Sequence, residues 1–220
     1  MTRRRDPDMT SLLATLFDYD GVLADTLTDM LRFAGETCAE MGYPRKPTAA
    51  DLDALETMSF VDYGLRLGIP ADRAQEFARR TMAHFEARAE PPPIFSGMDV
   101  VVRGAAARGQ VGIVTGSPAR AVLQFLEEHR LNAYVNVLIA VEHTGTRTEK
   151  ISAALAQLGR QPDEACLIGD AVSDVHACRE VGVRSIAVAW GHQRAPRLAA
   201  AGADAVVSSP QELAELLKRI

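Results

Sequence analysis

Near its amino terminus the chain reads Leu12-Leu13-Ala14-Thr15-Leu16-Phe17-Asp18-Tyr19-Asp20-Gly21, an apolar run that passes directly into two aspartates and a glycine. A short apolar run with such an ending is typical of a strand that is buried on both faces of a parallel sheet. In an extended chain, side chains two positions apart point the same way, so the carboxylates of Asp18 and Asp20 share a direction while Tyr19 points elsewhere. The stretch therefore predicts a buried strand that presents two carboxylates at its carboxyl end.

Further short apolar runs follow along the chain, at residues 111–114, 135–141, 166–168, 185–189 and 205–207. Helical patterns separate these runs. Pro118 stands in the first turn of one predicted helix, with Ser117 as its cap, and Pro210 opens the last helix. Strands that alternate with helices in this way predict an α/β fold built on a doubly wound parallel sheet.

Residues 28–92 break the alternation, because they show helical patterns and no strand pattern. Apolar residues recur at helical spacing from Leu27 to Met41, where Gly42 ends the pattern, and again from Ala74 to Phe85. The sequence Glu90-Pro91-Pro92-Pro93 then resembles a stiff hinge. We predict two units: an α/β catalytic core of residues 1–27 and 93–220, and an inserted all-helical domain of residues 28–92. The insert is expected over the carboxyl ends of the strands, where α/β sheets place their sites.

Two more aspartates follow a later predicted strand. Asp170 comes just after the run at 166–168, and Asp174 stands four residues further on, in the first turn of the next helix. If the two acidic strands are neighbours, four carboxylates converge on one small volume, where they cannot all be ionised unless a cation lies among them. Oxygen ligands with no histidine or cysteine nearby in sequence favour Mg²⁺ over zinc.

Two other positions suit a phosphate group. Thr115-Gly116-Ser117 follows another predicted strand and opens a helix, so a hydroxyl, a flexible glycine amide and a helix N-terminus form a cradle for an anion. Lys150 lies near the start of a later helix, where its charge would balance the carboxylates and hold a phosphate. The plainer alternatives are an ordinary strand-to-helix turn for the first and a solvated lysine for the second.

Composition excludes several classes of function. The formal net charge of −5, with 24 basic and 29 acidic residues, argues against nucleic acid or an anionic membrane as a partner. No apolar run approaches the about twenty residues that a membrane span needs. The three cysteines are scattered and form no CxxC pair, which fits a reducing cytoplasm. The five histidines, at positions 84, 129, 143, 176 and 192, show no ligand spacing and are interpreted as surface or satisfied residues.

Four ordered motifs resemble those of the haloacid dehalogenase superfamily. They are residues 17–26 (Phe-Asp-Tyr-Asp-Gly-Val-Leu-Ala-Asp-Thr), residues 114–117 (Val-Thr-Gly-Ser), Lys150, and residues 169–174 (Gly-Asp-Ala-Val-Ser-Asp). The helical insert between the first two motifs resembles the cap of the phosphoglycolate phosphatase and β-phosphoglucomutase branch. The likeness covers nearly the whole chain, and it implies a Rossmann-like core with a cap that closes over the site.

The resemblance also implies a phosphoaspartyl mechanism. Asp18 would attack phosphorus and become an aspartyl phosphate, and Asp20 would protonate the leaving oxygen and then activate water. Mg²⁺ would be held by the Asp18 carboxylate, the Asp20 main-chain carbonyl and Asp170, with Asp174 in support. An aspartate at position 20 favours phosphate esters or anhydrides over C–Cl or C–P substrates, whose leaving groups need no such acid.

The phosphoryl oxygens are implied to bind Thr115, Gly116, Ser117 and Lys150, and Thr115 and Lys150 also count as catalytic. One departure concerns Lys150, which is followed by isoleucine where this branch commonly has proline and which lies closer to Asp170 than the branch predicts. Arg147, three residues earlier, is therefore a second candidate to share or replace its role.

The resulting hypothesis is a cytoplasmic, Mg²⁺-dependent phosphatase, monomeric or homodimeric, that acts on a small phosphorylated metabolite. A sugar phosphomutase of the same branch and a pyrophosphatase stay open, and a non-catalytic binding protein is the alternative from another class. The cap residues Thr57, Ser59 and Phe60 lie where this branch has its specificity loop. These residue types do not indicate a particular ligand. The alternative interpretation is that they form an ordinary turn between two helices.

Overall fold

A computed structural model describes residues 12–220, so the predicted core before residue 12 lies outside the described residues. Within this range the elements are β1 (Ala14–Phe17), α1 (Leu27–Glu40), α2 (Ala49–Asp53), α3 (Phe60–Arg66), α4 (Ala74–Glu86), α5 (Met98–Ala106), β2 (Gln110–Val114), α6 (Ala119–Glu128), β3 (Val137–Ile139), α7 (Arg147–Leu158), β4 (Ala165–Gly169), α8 (Val172–Val181), β5 (Arg184–Val188), α9 (Ala195–Ala200), β6 (Ala205–Val207) and α10 (Pro210–Leu217). Among these described helices, none combines the length and the apolar character that crossing a bilayer requires.

The strands form one parallel sheet in the spatial order β3-β2-β1-β4-β5-β6. This is the strand order of doubly wound Rossmann-type folds, in which ligands bind where the order reverses, at the carboxyl ends of the strands. The reversal lies at β1, where Phe17 pairs with Ile113 of β2 on one side and with Ile168 of β4 on the other. The predicted α/β fold class is confirmed, and the ends of β1, β2 and β4 lie side by side.

Strand β1 is buried along its whole length, because helices cover both faces of the sheet. Its Leu16 packs into a cluster with residues of α7 and α8, and its Phe17 packs into a cluster with residues of α5, α6 and α10. All six apolar runs of the sequence form strands, but the run at 135–141 contributes only Val137–Ile139. A 3₁₀ turn at Asn132–Tyr134 precedes it, and the Val141 N–H donates to the Ser117 carbonyl, outside the sheet ladder.

Helices α1 to α4 pack around a cluster of their own, which includes the fully buried side chains of Leu52, Tyr63 and Phe77. Helix α1 ends at the predicted place, because Gly42 adopts a φ of +81°, a left-handed conformation that glycine takes without strain. Helices α2 and α3 are short, and no periodic apolar stripe predicted them. The boundaries of the cap at residues 28 and 92 stay a prediction.

The chain enters and leaves the helical insert through two segments that run side by side. The Asp25 N–H donates to the Pro93 carbonyl at 2.9 Å, and the Phe95 N–H donates to the Leu23 carbonyl at 3.0 Å. An antiparallel bridge joins Ala24 to Ile94 between them. Both connections therefore lie just beyond the acidic end of β1.

The segment that follows β5 also ties the insert to the core. Gln193 is buried, and its side-chain oxygen accepts the Val172 N–H at 2.7 Å, while its side-chain nitrogen donates to the Leu55 carbonyl, also at 2.7 Å. Next to it, the guanidinium of Arg194 pairs with the carboxylate of Asp53 at 2.7 Å. One short segment therefore joins the first turn of α8 to the chain at the end of α2.

Phe125 of α6 supports the loop that carries the first motif. Its ring is fully buried and meets the ring of Tyr19 edge-on, with centroids 5.0 Å apart. We expect Phe125→Ala to lower the free energy of unfolding by about 3–5 kcal/mol, because it leaves a cavity beneath Tyr19. Leu123→Ala is the control on the same helix, since Leu123 is 52% exposed, and it should change the free energy by no more than about 0.5 kcal/mol. Urea unfolding measures both values, and equal losses would contradict the assignment of Phe125 to the core.

Candidate active site

Four carboxyl groups meet at the carboxyl ends of two neighbouring strands. Asp18 and Asp20 follow β1, Asp170 follows β4, and Asp174 lies in the first turn of α8. One carboxylate oxygen from each of Asp18, Asp170 and Asp174 lies within 4.8 Å of the others. All four residues line one cavity of about 510 Å³. The structure therefore brings together the four aspartates that the sequence singled out.

Two glycines give the side chain of Asp170 its space. Gly21 has a φ of +73°, which favours glycine, and a Cβ at this position would overlap the Oδ2 atom of Asp170. A Cβ at Gly191 would overlap the same oxygen and would also crowd the Gly21 carbonyl, 2.5 Å away. Asp170 can therefore lie this close to β1 because both neighbours lack a side chain.

Arg147 is the cation that contacts the acidic cluster. Its Nη2 lies 3.0 Å from Asp18 Oδ2, its Nε lies 2.8 Å from Asp174 Oδ1, and its Nη1 donates to the Val114 carbonyl at 2.8 Å. The first two contacts are ion pairs without the alignment of a hydrogen bond, so the buried Nε and Nη2 keep N–H groups without an aligned acceptor among the described residues. They are suited to donate to an anion that binds beside Asp18.

The start of helix α7 places Arg147 in this position. The Thr146 hydroxyl accepts the Glu149 N–H, and the Glu149 carboxylate in turn accepts the Thr146 N–H at 2.7 Å. This reciprocal cap fixes the first residue of the helix as Arg147. The register of the helix, rather than the residue type alone, therefore decides which basic side chain reaches Asp18.

Lys150 points to backbone oxygens instead of to the acidic cluster. Its ammonium donates to the Thr115 carbonyl at 3.1 Å and to the Ala140 carbonyl at 2.9 Å. Burial and the nearby charge of Arg147 lower its pKa, against the opposing effect of Asp18. Lys150 lines the same cavity as the aspartates, but the basic side chain that contacts Asp18 is that of Arg147, three residues earlier in α7. Lys150 itself ties α7 to the ends of β2 and β3.

The Thr115-Gly116-Ser117 turn lines the cavity beside Asp20. Thr115 is fully buried, and its hydroxyl oxygen accepts the Ser117 N–H at 2.9 Å, which leaves the hydroxyl hydrogen for another acceptor. The Ser117 hydroxyl donates to Asp20 Oδ2. Thr115 and Gly116 are thus positioned for the predicted phosphate contacts, whereas both hydrogen-bond donors of Ser117 are engaged with protein groups.

The N-terminus of α6 differs from the prediction in a related way. Pro118, not Ser117, is the residue that precedes the first helical position. The Ala119 N–H, at that first position, donates to both carboxylate oxygens of Glu142, at 3.0 and 3.1 Å. A protein carboxylate therefore occupies the end of the helix that the sequence suggested for a bound anion, because the turn aims the hydroxyl of Ser117 at Asp20 instead.

His192 belongs to the site, although the sequence pattern assigned it no role there. Its Nδ1 lies 2.8 Å from Asp170 Oδ2, and its backbone N–H donates to the same oxygen at 2.7 Å. Its Nε2 lies 3.4 Å from the Thr26 hydroxyl. Both contacts to Asp170 use Oδ2 and leave Oδ1 for a further ligand. The clue in the sequence is that His192 follows the apolar run of β5, the strand next to β4 in the sheet.

Burial makes the charged forms of these acids costly. Burial raises the pKa of Asp18 well above its usual range, and Arg147 lowers it only in part, since Asp174 and Asp170 raise it further. Burial likewise raises the pKa of Asp174, against the opposing charge of Arg147. Without a further cation, the cluster favours protons on some of its carboxyl groups. A buried set of carboxylate oxygens in this condition fits a divalent cation that prefers oxygen ligands, such as Mg²⁺.

Asp20 differs from Asp18 in its partners. Burial raises its pKa, while the Ser117 hydroxyl, the charge of His192 and the Thr26 hydroxyl lower it by a smaller total amount. Asp20 thus has an elevated pKa and a hydrogen-bond donor fixed on one oxygen. These are properties of a group that exchanges a proton during a reaction.

The three predicted cap residues, Thr57, Ser59 and Phe60, also line the cavity. Ser59 caps α3 by accepting the Asp62 N–H at 3.0 Å, and its hydroxyl donates to Asp62 Oδ2 at 2.7 Å. The Thr57 hydroxyl donates to the same carboxylate oxygen. The interhelical segment therefore faces the aspartates, and it is held in shape by its own hydrogen bonds.

Comparison with known proteins agrees with this geometry. The family model of the haloacid dehalogenase-like hydrolases matches residues 15–188. The N-acetylmuramic acid 6-phosphate phosphatase of Pseudomonas aeruginosa is 29% identical over 94% of this chain and 96% of its own. The phosphoglycolate phosphatase of Synechococcus elongatus is 24% identical over 94% and 98%.

Among solved structures, that of a predicted phosphatase from Clostridium acetobutylicum has a TM-score of 0.85 at 19% identity, covering 96% of this chain and 100% of that chain. This similarity supports a shared fold. The family match includes Asp18 and Asp20 after β1, the helical insert, Thr115 after β2 and Asp170 after β4. The chain therefore belongs to the haloacid dehalogenase-like hydrolase family.

Proposed function

We propose that this protein is a Mg²⁺-dependent phosphatase that hydrolyses a small phosphorylated metabolite through an aspartyl-phosphate intermediate. The observation that carries the proposal is the arrangement of Asp18, Asp20 and Arg147 around one cavity. It provides a nucleophile, a proton carrier with a raised pKa and a cation with N–H groups available to an anion. The names of the relatives, which are phosphatases, support the same class of reaction.

Asp18, Asp170 and Asp174 are the side chains that would hold Mg²⁺, and the resemblance to the family adds the main-chain carbonyl of Asp20 as a further ligand. Their fit rests on the all-oxygen donor set and on burial, which disfavours the uncompensated carboxylates. When bound, the ion supplies positive charge that offsets the carboxylates and polarises a phosphoryl oxygen. His192 supports this site from outside, because it orients Asp170 through Oδ2.

In the first step, an Asp18 carboxylate oxygen forms a bond to phosphorus while the bond from phosphorus to the leaving oxygen breaks. Asp20, in its protonated form, gives its proton to the leaving oxygen. The available N–H groups of Arg147, the Thr115 hydroxyl and the Gly116 amide hold the phosphoryl oxygens. Arg147 also keeps Asp18 in place before the substrate arrives.

In the second step, Asp20 is a carboxylate and removes a proton from water, which attacks the phosphorus of the aspartyl phosphate. The bond from phosphorus to Asp18 breaks, inorganic phosphate leaves and the free Asp18 carboxylate returns. The Ser117 hydroxyl donates to Asp20 and so stabilises this basic form. One residue thus serves as acid and then as base, since the proton that it loses in the first step returns in the second.

Cys38, Cys166 and Cys178 are buried free thiols in the structure. They suit a reducing compartment, which supports our proposal of a cytoplasmic location.

The central test of the function replaces the nucleophile. We expect Asp18→Asn to fold normally and to release no measurable phosphate from p-nitrophenyl phosphate in the presence of Mg²⁺, because an amide is no nucleophile. Asp163→Asn is the matched control and should keep full activity. Asp163 is exposed and lies just before the start of β4, at the edge of the sheet opposite to the aspartates.

Chelation with EDTA should abolish wild-type activity, and Mg²⁺ should restore it. Turnover by Asp18→Asn would refute the phosphoaspartyl mechanism, and activity after rigorous chelation would refute the metal.

Arg147 and Lys150 allow a direct comparison of two cations on one helix. We expect Arg147→Met to lower kcat/KM by about 10²–10³-fold, the usual effect of removing one group that stabilises the transition-state charge. Lys150→Met should lower kcat/KM much less and reduce stability more, because its ammonium bonds to two backbone carbonyls. Steady-state kinetics and thermal unfolding of both variants measure the contrast. The reverse order in kcat/KM would assign the phosphate contact to Lys150.

The proton transfer by Asp20 can be tested through the choice of leaving group. An alkyl phosphate leaves as a strongly basic alkoxide and needs the proton, whereas nitrophenolate hardly needs it. Asp20→Asn should therefore slow cleavage of an alkyl phosphate by about 10²–10⁴-fold and slow formation of the phosphoenzyme from p-nitrophenyl phosphate far less. Rapid-quench kinetics should show a burst of nitrophenol and then a stall, because water is no longer activated. An equal loss for both leaving groups, with no burst, would show that Asp20 does no acid–base work.

A further inference from the structure

The cavity has two chemically different halves. The half next to the sheet contains the aspartates, Arg147 and the Thr115 turn. The half formed by the helical insert has nine lining residues, and seven of them are apolar: Met30, Met58, Phe60, Val61, Ala78, Met82 and Phe85. A phosphoryl group held at Asp18 would therefore place the remainder of the substrate against thioether, aliphatic and aromatic groups.

The other two lining residues of the insert are Thr57 and Ser59, and their hydroxyl hydrogens are already used. Both hydroxyls donate to Asp62 Oδ2. Ser59 also accepts the Asp62 N–H as the cap of α3. These side chains offer a substrate lone pairs but no free hydrogen, so they are poor partners for an anion.

The insert contributes no cationic side chain to the lining of the cavity among the described residues. None of the arginine, lysine or histidine residues between 28 and 92 lines it. Several of them pair with acids of the insert itself: Arg45 lies 2.6 Å from Asp51, and Arg88 lies 2.8 Å from Asp29. A carboxylate or a second phosphate in this half would lose its hydration and gain no opposite charge, which is unfavourable.

We infer, on the basis of the proposed phosphatase activity, that the substrate is the phosphate monoester of an uncharged alcohol with a mainly apolar skeleton, alkyl or aromatic. The insert selects this class by apolar contact and rejects leaving groups that carry a second negative charge. Three of the seven apolar residues are methionines, whose flexible thioethers pack against aliphatic and aromatic groups alike. We therefore expect phosphoglycolate and pyrophosphate to be poor substrates, because their leaving groups carry a second negative charge.

The first experiment compares substrates on the wild-type protein with Mg²⁺ present. Ethyl, butyl and hexyl phosphate leave as similar alkoxides, so differences among them report contact with the insert. We expect kcat/KM to rise by roughly fourfold per added methylene until the cavity is filled. Isobutyl phosphate has the shape of phosphoglycolate with an isopropyl group in place of the carboxylate. It should exceed phosphoglycolate in kcat/KM by at least about tenfold.

The second experiment adds a charge to the apolar half. Met82→Lys places an ammonium in the cavity and should raise kcat/KM for phosphoglycolate relative to isobutyl phosphate by about tenfold or more. Ala83→Lys is the matched control, because Ala83 is exposed on the same helix and does not line the cavity. It adds the same charge and should leave the ratio unchanged. Equal ratios in the two variants would overturn the assignment of Met82 to substrate selection.

The outcomes separate this inference from the function on which it rests. Absence of Mg²⁺-dependent hydrolysis of p-nitrophenyl phosphate and of every alkyl phosphate would reject the phosphatase and the substrate class together. Hydrolysis of p-nitrophenyl phosphate, with phosphoglycolate equal to or better than isobutyl phosphate, would overturn the substrate class alone. The same conclusion follows if p-nitrophenyl phosphate is hydrolysed and neither benzyl phosphate nor any alkyl phosphate is, or if kcat/KM for the alkyl phosphates does not rise with chain length.

Discussion

Repulsion among four carboxyl groups in one small volume is the constraint on which the rest of the site depends. Asp18, Asp20, Asp170 and Asp174 converge because parallel strands end at the same edge of the sheet. Their like charges would drive the site apart if nothing opposed them. The guanidinium of Arg147 offsets part of this repulsion by pairing with two of the acids at once. The capped start of α7 positions Arg147 for these contacts, and the two glycines beside Asp170 give its side chain space.

The two aspartates that follow β1 lie close together but have different partners. Asp18 lies against a fixed positive charge at 3.0 Å. Asp20 lies against the hydroxyl of Ser117, a neutral donor that can accompany either protonation state. Arg147 lowers the pKa of Asp18 in part, against the larger effect of burial, whereas the Ser117 hydroxyl lowers the pKa of Asp20 as a neutral donor. Asp18 and Asp20 are only two positions apart in the sequence. Their different contacts, with Arg147 and with Ser117, give the two carboxyl groups different properties.

The fold and the acidic cluster could be predicted because both follow from local patterns. Each apolar run became a strand, and the acids at the ends of β1 and β4 meet because the sheet is parallel and these two strands are neighbours. The predictions that needed correction depend on the direction of a side chain. Arg147 and Lys150 are three residues apart on one helix, and the capping of Thr146 decides which of them faces Asp18. His192 reaches Asp170 through a loop whose course no periodicity describes.

Gln193 has a consequence for how such a protein can diversify. Its buried amide bonds on one side to the first turn of α8, which carries Asp174, and on the other to the carbonyls of Leu52, Asp53 and Leu55 in the insert. An amide is the group that can both accept the one N–H and donate to the carbonyls, so even glutamate would leave acceptors facing acceptors. The helical insert is thus no freely exchangeable module. A lineage that acquires a new insert, or an engineer who grafts one, must recover this three-way junction along with the substrate-facing side chains.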